Sequence, residues 1–288
     1  MKRWLVMMMA AVGALTLAAH AGAQPLDGTL KRIKDTGTFK IGFRENSPPF
    51  SYLGADKKPL GYSVDLCERI ARATQQELKL ADLKIQYVPV TVESRIDAVA
   101  NGTVDIECGS TTMTLARQEK VDFTNLTFVD GGGFLVARGS AIRGVTDLAG
   151  KRIGVIPGTT TEGALKAELQ RAGVTASLVS VPDHNRGFAA VQGGQADAYA
   201  SDQIILVGLL VQANAADRFA LADQQFSFEP YAFAMRRNDP DFKLAVNTVL
   251  ARLYRGAQIM EIYERWFGKF GKPSPSIIAV YMLNGVPE

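Results

Sequence analysis

The sequence predicts an α/β fold made of two similar α/β lobes joined by a two-strand hinge. Three observations carry that prediction. Strand and helix patterns alternate through most of the chain, which is the pattern of βαβ units and a parallel sheet. Part of the pattern recurs: Ala98, Val99, Gly102 and Asp105 fall on Ala190, Val191, Gly194 and Asp197, each 92 positions later. Two connectors, Val129–Gly133 and the stretch around Glu229–Ala234, flank the second repeat, so the chain crosses between lobes twice. Lobe 1 is then expected to comprise residues 24–129 plus 230–288, and lobe 2 residues 130–229.

In the first repeat, Phe39–Phe43 (FKIGF) reads as a buried strand, followed by the loop Arg44–Pro59. Ser63 is expected to cap a helix reaching about Leu78, with Val64, Cys67, Ile70 and Ala71 on one face. Lys84–Val88 is a strand, Val92–Ala100 a short helix ended by Asn101-Gly102, and Val104–Cys108 a third strand. The second repeat reads Arg152–Ile156 strand, Thr160–Ala172 helix, Ser177–Val181 strand, Arg186–Gln192 helix and Ala196–Ala200 strand. After the second crossing, Phe242, Ala245, Val249, Leu253 and Ile259 keep a helical period, and Tyr263, Trp266 and Phe267 add an aromatic cluster.

The N-terminus reads as a secretory signal. Lys2 and Arg3 precede an uncharged apolar run from Trp4 to Ala19, and Ala21-Gly22-Ala23 offers a cleavage site before Gln24. A membrane anchor is the alternative, but sixteen helical residues span only about 24 Å against a hydrocarbon core of roughly 30 Å. Cleavage after residue 23 removes two basic residues and no acidic one. The 32 Lys+Arg and 29 Asp+Glu, a net +3, become 30 and 29, a net +1. So weak a surplus argues against a nucleic-acid partner. Cleavage also leaves His184 as the single histidine, too little for a zinc site, and export puts Cys67 and Cys108 in an oxidising compartment.

Ligands of open parallel sheets bind beyond the carboxyl ends of the strands. Here those ends are Arg44 onward, Gly109–Thr114, Pro157–Thr161 and Ser201-Asp202. Thr159 and Glu162 form a capping box at a helix start, where free backbone N–H groups suit an anion. Arg95 borders the apolar stripe of Val92, Ile96 and Val99, so its guanidinium needs an anion or a path to water. His184 occupies the matching place in the second repeat, where a satisfied structural histidine is the plain alternative. Ser110, Thr111 and Thr112 lie just past a strand end, and Thr114 caps a turn carrying Arg117. The repeat puts Ser110 on Asp202. One lobe thus offers hydroxyls and arginine to a carboxylate while the other offers a carboxylate to an ammonium, as a zwitterion requires. Gly144–Lys151 fails as a P-loop by one residue, and no G-x-S-x-G elbow occurs. No cofactor motif is read.

The segments FRENSPPFSY (Phe43–Tyr52), GYSVDLCERI (Gly61–Ile70), NGTVDIECGSTT (Asn101–Thr112), RQEKVDFT (Arg117–Thr124), DLAGKRIGVIPGTTTE (Asp147–Glu162) and GGQADAYASD (Gly193–Asp202) together resemble the amino-acid-binding branch of the periplasmic solute-binding proteins of ABC transporters. FRENS, ECGSTT and the Asp183-His184 pair look most like the glutamate/aspartate-binding proteins. The resemblance implies the periplasmic-binding-protein type II, or Venus-flytrap, fold. It also implies a monomer in the periplasm that binds L-glutamate or L-aspartate and serves an inner-membrane ABC permease. By the same resemblance, Arg117 holds the ligand α-carboxylate with Ser110, Thr112 and Thr160, and Asp202 holds the α-ammonium. Arg44, Arg95 and His184 surround the side-chain carboxylate. Two positions depart from the pattern. Ser47 stands where many relatives have an aromatic residue, and Val92 where acidic-ligand relatives have a hydroxyl.

Charge counting points the same way. Three arginines and one aspartate stay near neutral with an acidic amino acid if His184 is uncharged. A neutral ligand such as glutamine leaves an arginine unpaired, at a cost of about 2–5 kcal/mol. Cys67, on the apolar face of its helix, and Cys108, at a strand end, are both expected in the core of lobe 1. A bridge between them is reachable, and two buried thiols are the alternative. The rival function is a cyclohexadienyl-type dehydratase on the same fold. His184 would be its acid, but Asp202 would meet no ammonium on such a substrate.

Overall fold

The structure, a computed structural model, describes residues 26–287. The expected 1–23 leader lies outside the described residues. The chain opens with α1 (Gly28–Thr36) and β1 (Thr38–Phe43), then a small sheet of β2 (Asn46–Ser47), β3 (Ser51–Leu53) and β4 (Pro59–Leu60). Next come α2 (Tyr62–Glu77), β5 (Lys84–Pro89), α3 (Arg95–Ala100), β6 (Ile106–Glu107), α4 (Leu115–Gln118) and β7 (Val121–Phe123). β8 (Phe128–Asp130) leads into β9 (Gly132–Ala137), β10 (Arg152–Val155), α5 (Thr160–Ala172), β11 (Ser177–Ser180), α6 (His184–Gln192), β12 (Ala198–Asp202), α7 (Gln203–Gln212) and β13 (Phe219–Leu221). β14 (Glu229–Tyr231) leads back to β15 (Ala234–Arg236), followed by α8 (Pro240–Arg255), α9 (Gln258–Phe267) and α10 (Pro275–Asn284).

Two five-stranded sheets have corresponding orders, β5-β1-β6-β15-β7 and β11-β10-β12-β9-β13. In each, the first three strands are parallel, as the βαβ reading requires. The fourth strand of each runs against the other four, since β7 and β13 pair antiparallel with it and so point the same way as the first three. β15 and β9 run antiparallel to β6 and β12, because each enters its sheet directly from a crossing. The crossings β8 and β14 themselves pair antiparallel, Asp130 opposite Glu229 and Phe128 opposite Tyr231.

The cores explain why these segments pair. Phe39 and Ile41 of β1 point into the same cluster as Leu66 and Ile70 of α2 and Phe242 and Val246 of α8. That cluster continues into the second lobe through Val181, Phe188, Tyr199 and Ile205, while Phe134, Ile153, Leu165 and Ala198 form a separate core there. Phe50 lies 5.0 Å from Phe128, 5.1 Å from Tyr231 and 5.5 Å from Phe267, ring centre to ring centre. Both crossings are therefore anchored in one aromatic knot, where edge-on pairs add about 0.5–1.5 kcal/mol each beyond area burial.

Two local expectations change. Ser63 is not a helix cap: α2 starts one residue earlier, and the Ser63 hydroxyl donates to the Gly109 carbonyl at 2.7 Å. The start is set by Gly61, whose φ of 132° and 2.2 Å approach of any Cβ to the Phe50 carbonyl admit only glycine. The α6 helix begins at His184 rather than Arg186, because the Asp183 carboxylate accepts from the Arg186 N–H at 2.8 Å.

Cys67 and Cys108 form a disulfide with a Cα–Cα separation of 6.4 Å, both residues being fully buried. The bridge ties α2 to the end of β6 across 41 residues of sequence. A closed loop of that length is worth about 4 kcal/mol in the chain-entropy picture. The Cys67→Ser/Cys108→Ser variant should lose about 2–4 kcal/mol in urea unfolding; an unchanged midpoint and slope contradict a stabilising bridge. Mass spectrometry after alkylation without reductant should find no modified thiol.

Candidate functional site in the cleft between the lobes

A cleft with about 370 Å³ of space between its walls, open mouth included, runs between the two sheets. Seven of the eight residues expected from sequence line it: Arg44, Arg95, Ser110, Thr112, Thr160, His184 and Asp202. Val92 and Tyr199 line it too, and Ser47 does not. Ser47 is fully buried on β2, so its replacement of an aromatic residue leaves no mark on the cleft wall. Arg117 lies behind the wall, with its Nη1 donating to the Thr112 carbonyl at 2.6 Å.

Each side chain is delivered by a strand end or a helix start. Arg44 follows β1, and Ser110 and Thr112 follow β6. Arg95 is the first residue of α3 and is 4% exposed. Its Nη1 donates to Thr111 Oγ1 at 2.7 Å, while its buried Nε has no partner among the described residues. Thr160 opens α5, where Thr159 caps the Glu162 N–H at 3.1 Å and the Glu162 carboxylate accepts from Gly158 N at 2.9 Å. The helix ladder leaves the Thr160 and Thr161 N–H groups unused. Asp202 ends β12. Its carboxylate accepts from Thr161 Oγ1 at 2.7 Å and from the Tyr231 hydroxyl.

Burial sets the electrostatics. Desolvation, then repulsion from Arg95, lowers the Arg44 guanidinium to about 10. The same two causes, in the same order, lower Arg117 to about 10. Both remain cationic at neutral pH and hold their charge against an adverse environment. His184 is pushed well below its usual range by desolvation and then by Arg44 and Arg95, so the imidazole is neutral. Its Nδ1 is 2.7 Å from the Tyr199 hydroxyl. Burial raises the Tyr199 phenol, which keeps its proton. When that phenol donates to Nδ1, the ring hydrogen sits on Nε2 as a donor. A Cβ at Gly187 would stand 2.3 Å from the Tyr199 ring, so only glycine lets this pair form.

The acidic side is larger than the sequence suggests. Counting three arginines against Asp202 omits three buried carboxyl groups. Glu107 is fully buried beside Gly109, and both its oxygens lack partners among the described residues. Glu229 is 1% exposed, and its Oε2 accepts from Thr112 Oγ1 and Thr160 Oγ1, both at 2.6 Å. Asp130 is pushed well above the carboxylate range by desolvation and by Asp202, which favours its protonated form. Asp202 itself rises to about 6, through desolvation and then Glu229. Overall neutrality is therefore not the selector; what matters is which charges face the cleft. Arg44, Arg95 and Asp202 do so, with Arg117 behind Thr112. The sequence contained one hint of Glu229, which falls in the second crossing, and none of Glu107, which reads as an ordinary strand residue.

The comparisons with known proteins agree with this geometry. Residues 39–269 match the family described as bacterial extracellular solute-binding proteins, family 3. The chain is 39% identical over 258 residues to the L-glutamate/L-aspartate-binding protein of Pseudomonas aeruginosa, covering 89% of this chain and 85% of that one. It is 33% identical over 267 residues to the glutamate/aspartate import solute-binding protein of Salmonella typhimurium, covering 92% and 88%. An ancestral amino-acid-binding protein described as a precursor of cyclohexadienyl dehydratase superposes with a TM-score of 0.73 at 29% identity, covering 83% of this chain and all of that one. Among the described residues no helix is long and apolar enough to cross a membrane. With the family match spanning most of a two-lobed chain whose cleft gathers these charges, the chain belongs to the bacterial extracellular solute-binding proteins, family 3.

Proposed function

We propose that this chain is the periplasmic solute-binding component of an ABC importer for an acidic L-amino acid, L-glutamate or L-aspartate. It is exported by a signal peptide cleaved after residue 23, acts as a monomer and passes its ligand to an inner-membrane permease. The observation that carries this reading is the convergence of Arg44, Arg95, a neutral His184 and Asp202 on one closed cleft. Arg44 and Arg95, with Nε2 of His184, suit the side-chain carboxylate. Arg117, with Ser110 and the N–H groups that open α5 at Thr160, suits the α-carboxylate, and Asp202 the α-ammonium. The names of the similar proteins from Pseudomonas and Salmonella support the same ligand. Lobe boundaries at 129/130 and 229/230 follow, placing the pivot in the paired crossings. The chain is not an enzyme on this reading. A dehydratase needs a proton donor, and burial beside two arginines keeps His184 from holding a spare proton.

Titration calorimetry should rank L-glutamate and L-aspartate far above L-glutamine and L-arginine; tightest binding to a neutral or basic amino acid overturns the reading. Arogenate and prephenate should show no loss of water.

Asp202 supplies a pH test. Its folded-state value of about 6 lies above the unfolded value of about 3.9, so the native state binds the extra proton. The ligand-free protein should therefore gain stability as pH falls through that window. An ammonium beside Asp202 favours the carboxylate, so Kd for L-glutamate should rise about tenfold between pH 7 and pH 5. A flat profile removes Asp202 from ammonium binding.

Closure supplies a further one. A Cβ on Gly208 of α7 would lie 2.6 Å from the Pro48 carbonyl of the other lobe. Gly208→Ala should weaken binding several-fold though it touches no ligand group. An unchanged Kd separates this contact from ligand capture.

A further inference from the structure

Glu229 is the one carboxylate among the described residues whose hydrogen bonds join a cleft hydroxyl of each lobe. Its Oε2 accepts from Thr112 Oγ1, which follows β6 in lobe 1, and from Thr160 Oγ1, which opens α5 in lobe 2. The two hydroxyl oxygens lie 3.2 Å apart. Its Oε1 accepts from Ser227 Oγ at 2.7 Å, and that same hydroxyl accepts from the Gly132 N–H at 2.9 Å. One buried carboxylate thus links both lobes and both crossings.

A hydroxyl has one proton and two lone pairs. When that proton goes to Glu229, the oxygen meets the cleft as an acceptor only. Thr112 and Thr160 both line the cleft, so both present lone pairs there. An acceptor suits an ammonium and repels a carboxylate. The hydroxyls therefore cannot donate to the α-carboxylate, which is left to Arg117 and to the unused N–H groups at the start of α5. Asp202, held by Thr161 and Tyr231, lines the cleft with them. The acceptor set facing an ammonium then comprises Asp202 and the two threonine oxygens.

We propose that Glu229 is a positioning residue that sets the hydrogen-bond polarity of the cleft. It turns Thr112 and Thr160 into acceptors for the ligand's ammonium, and because it grips one hydroxyl from each lobe, that polarity exists only when the lobes are closed. Glu229 does not line the cleft and acts through the threonines. The proposal rests on the reading of the cleft as an amino-acid site.

The test is a thermodynamic cycle read by calorimetry with L-glutamate. Glu229→Gln keeps the shape but replaces one acceptor oxygen with an amide donor; with that donor toward the threonines, one of them accepts from it and turns its own proton toward the ligand. Kd for E229Q should rise at least about tenfold. Thr160→Val should also raise Kd, and E229Q/T160V should lose less than the product of the two single losses, because both act through one hydroxyl. Multiplicative losses overturn the proposal, as does an E229Q within twofold of the parent. Should E229Q not fold, as judged by circular dichroism, T112V and T160V carry the test alone, and affinities within twofold of the parent overturn it. A parent protein that binds no acidic amino acid sinks the functional reading itself. A parent that binds while the variants are unchanged sinks only the role of Glu229.

Discussion

Three guanidinium groups, two in one desolvated cleft and one behind its wall, are the constraint around which the site is arranged. Each loses hydration, and Arg95 repels both Arg44 and Arg117. Buried like charges persist only where something compensates them. Here compensation comes from two sources. Glu107, Glu229 and Asp202 lie near enough to oppose the repulsion at Arg117. The remainder is left open at the cleft wall, where the buried Arg95 Nε has no protein partner among the described residues. A site with unspent positive charge in a low-dielectric space is primed for a carboxylate, and more strongly so than the same arginines would be in water.

The same desolvation tunes the other groups. Repulsion from Arg44 and Arg95 adds to burial in keeping His184 neutral, and the Tyr199 contact directs its hydrogen. On the opposite side, burial and then Asp202 push Asp130 well above the carboxylate range, and burial and then Glu229 bring Asp202 to about 6. A cleft with cationic and anionic ends, each poorly compensated alone, matches a zwitterion with an extra carboxylate. The pairing of β8 with β14 makes this possible, because it places Asp130 opposite Glu229 between the sheets. The aromatic knot of Phe50, Phe128, Tyr231 and Phe267 fixes those crossings to the first lobe.

Much of the site was legible in the sequence because it sits at strand ends. Once FKIGF, VDIEC and ADAYA read as strands, Arg44, Ser110 and Asp202 had to fall just past their ends. The internal repeat paired Ser110 with Asp202 across the cleft. Spacing along a short helix does not say that the Arg117 guanidinium turns back to the Thr112 carbonyl. Ser63 was misread as a cap because the glycine before the helix takes a conformation that no local pattern announces.

By itself the sequence determined the alternation of strands and helices, the doubling of the lobe, the buried cysteines and the residue types at the cleft. These follow from local periodicity and composition, which act over a few residues. Tertiary structure alone decided which way the fourth strand of each sheet runs, that the cysteines meet, and where the hydroxyl protons point. Thr112 and Glu229 are 117 positions apart, and Thr161 and Asp202 are 41. No spacing rule reaches that far. Such contacts arise only when burial brings the segments together and each buried polar group must find a partner.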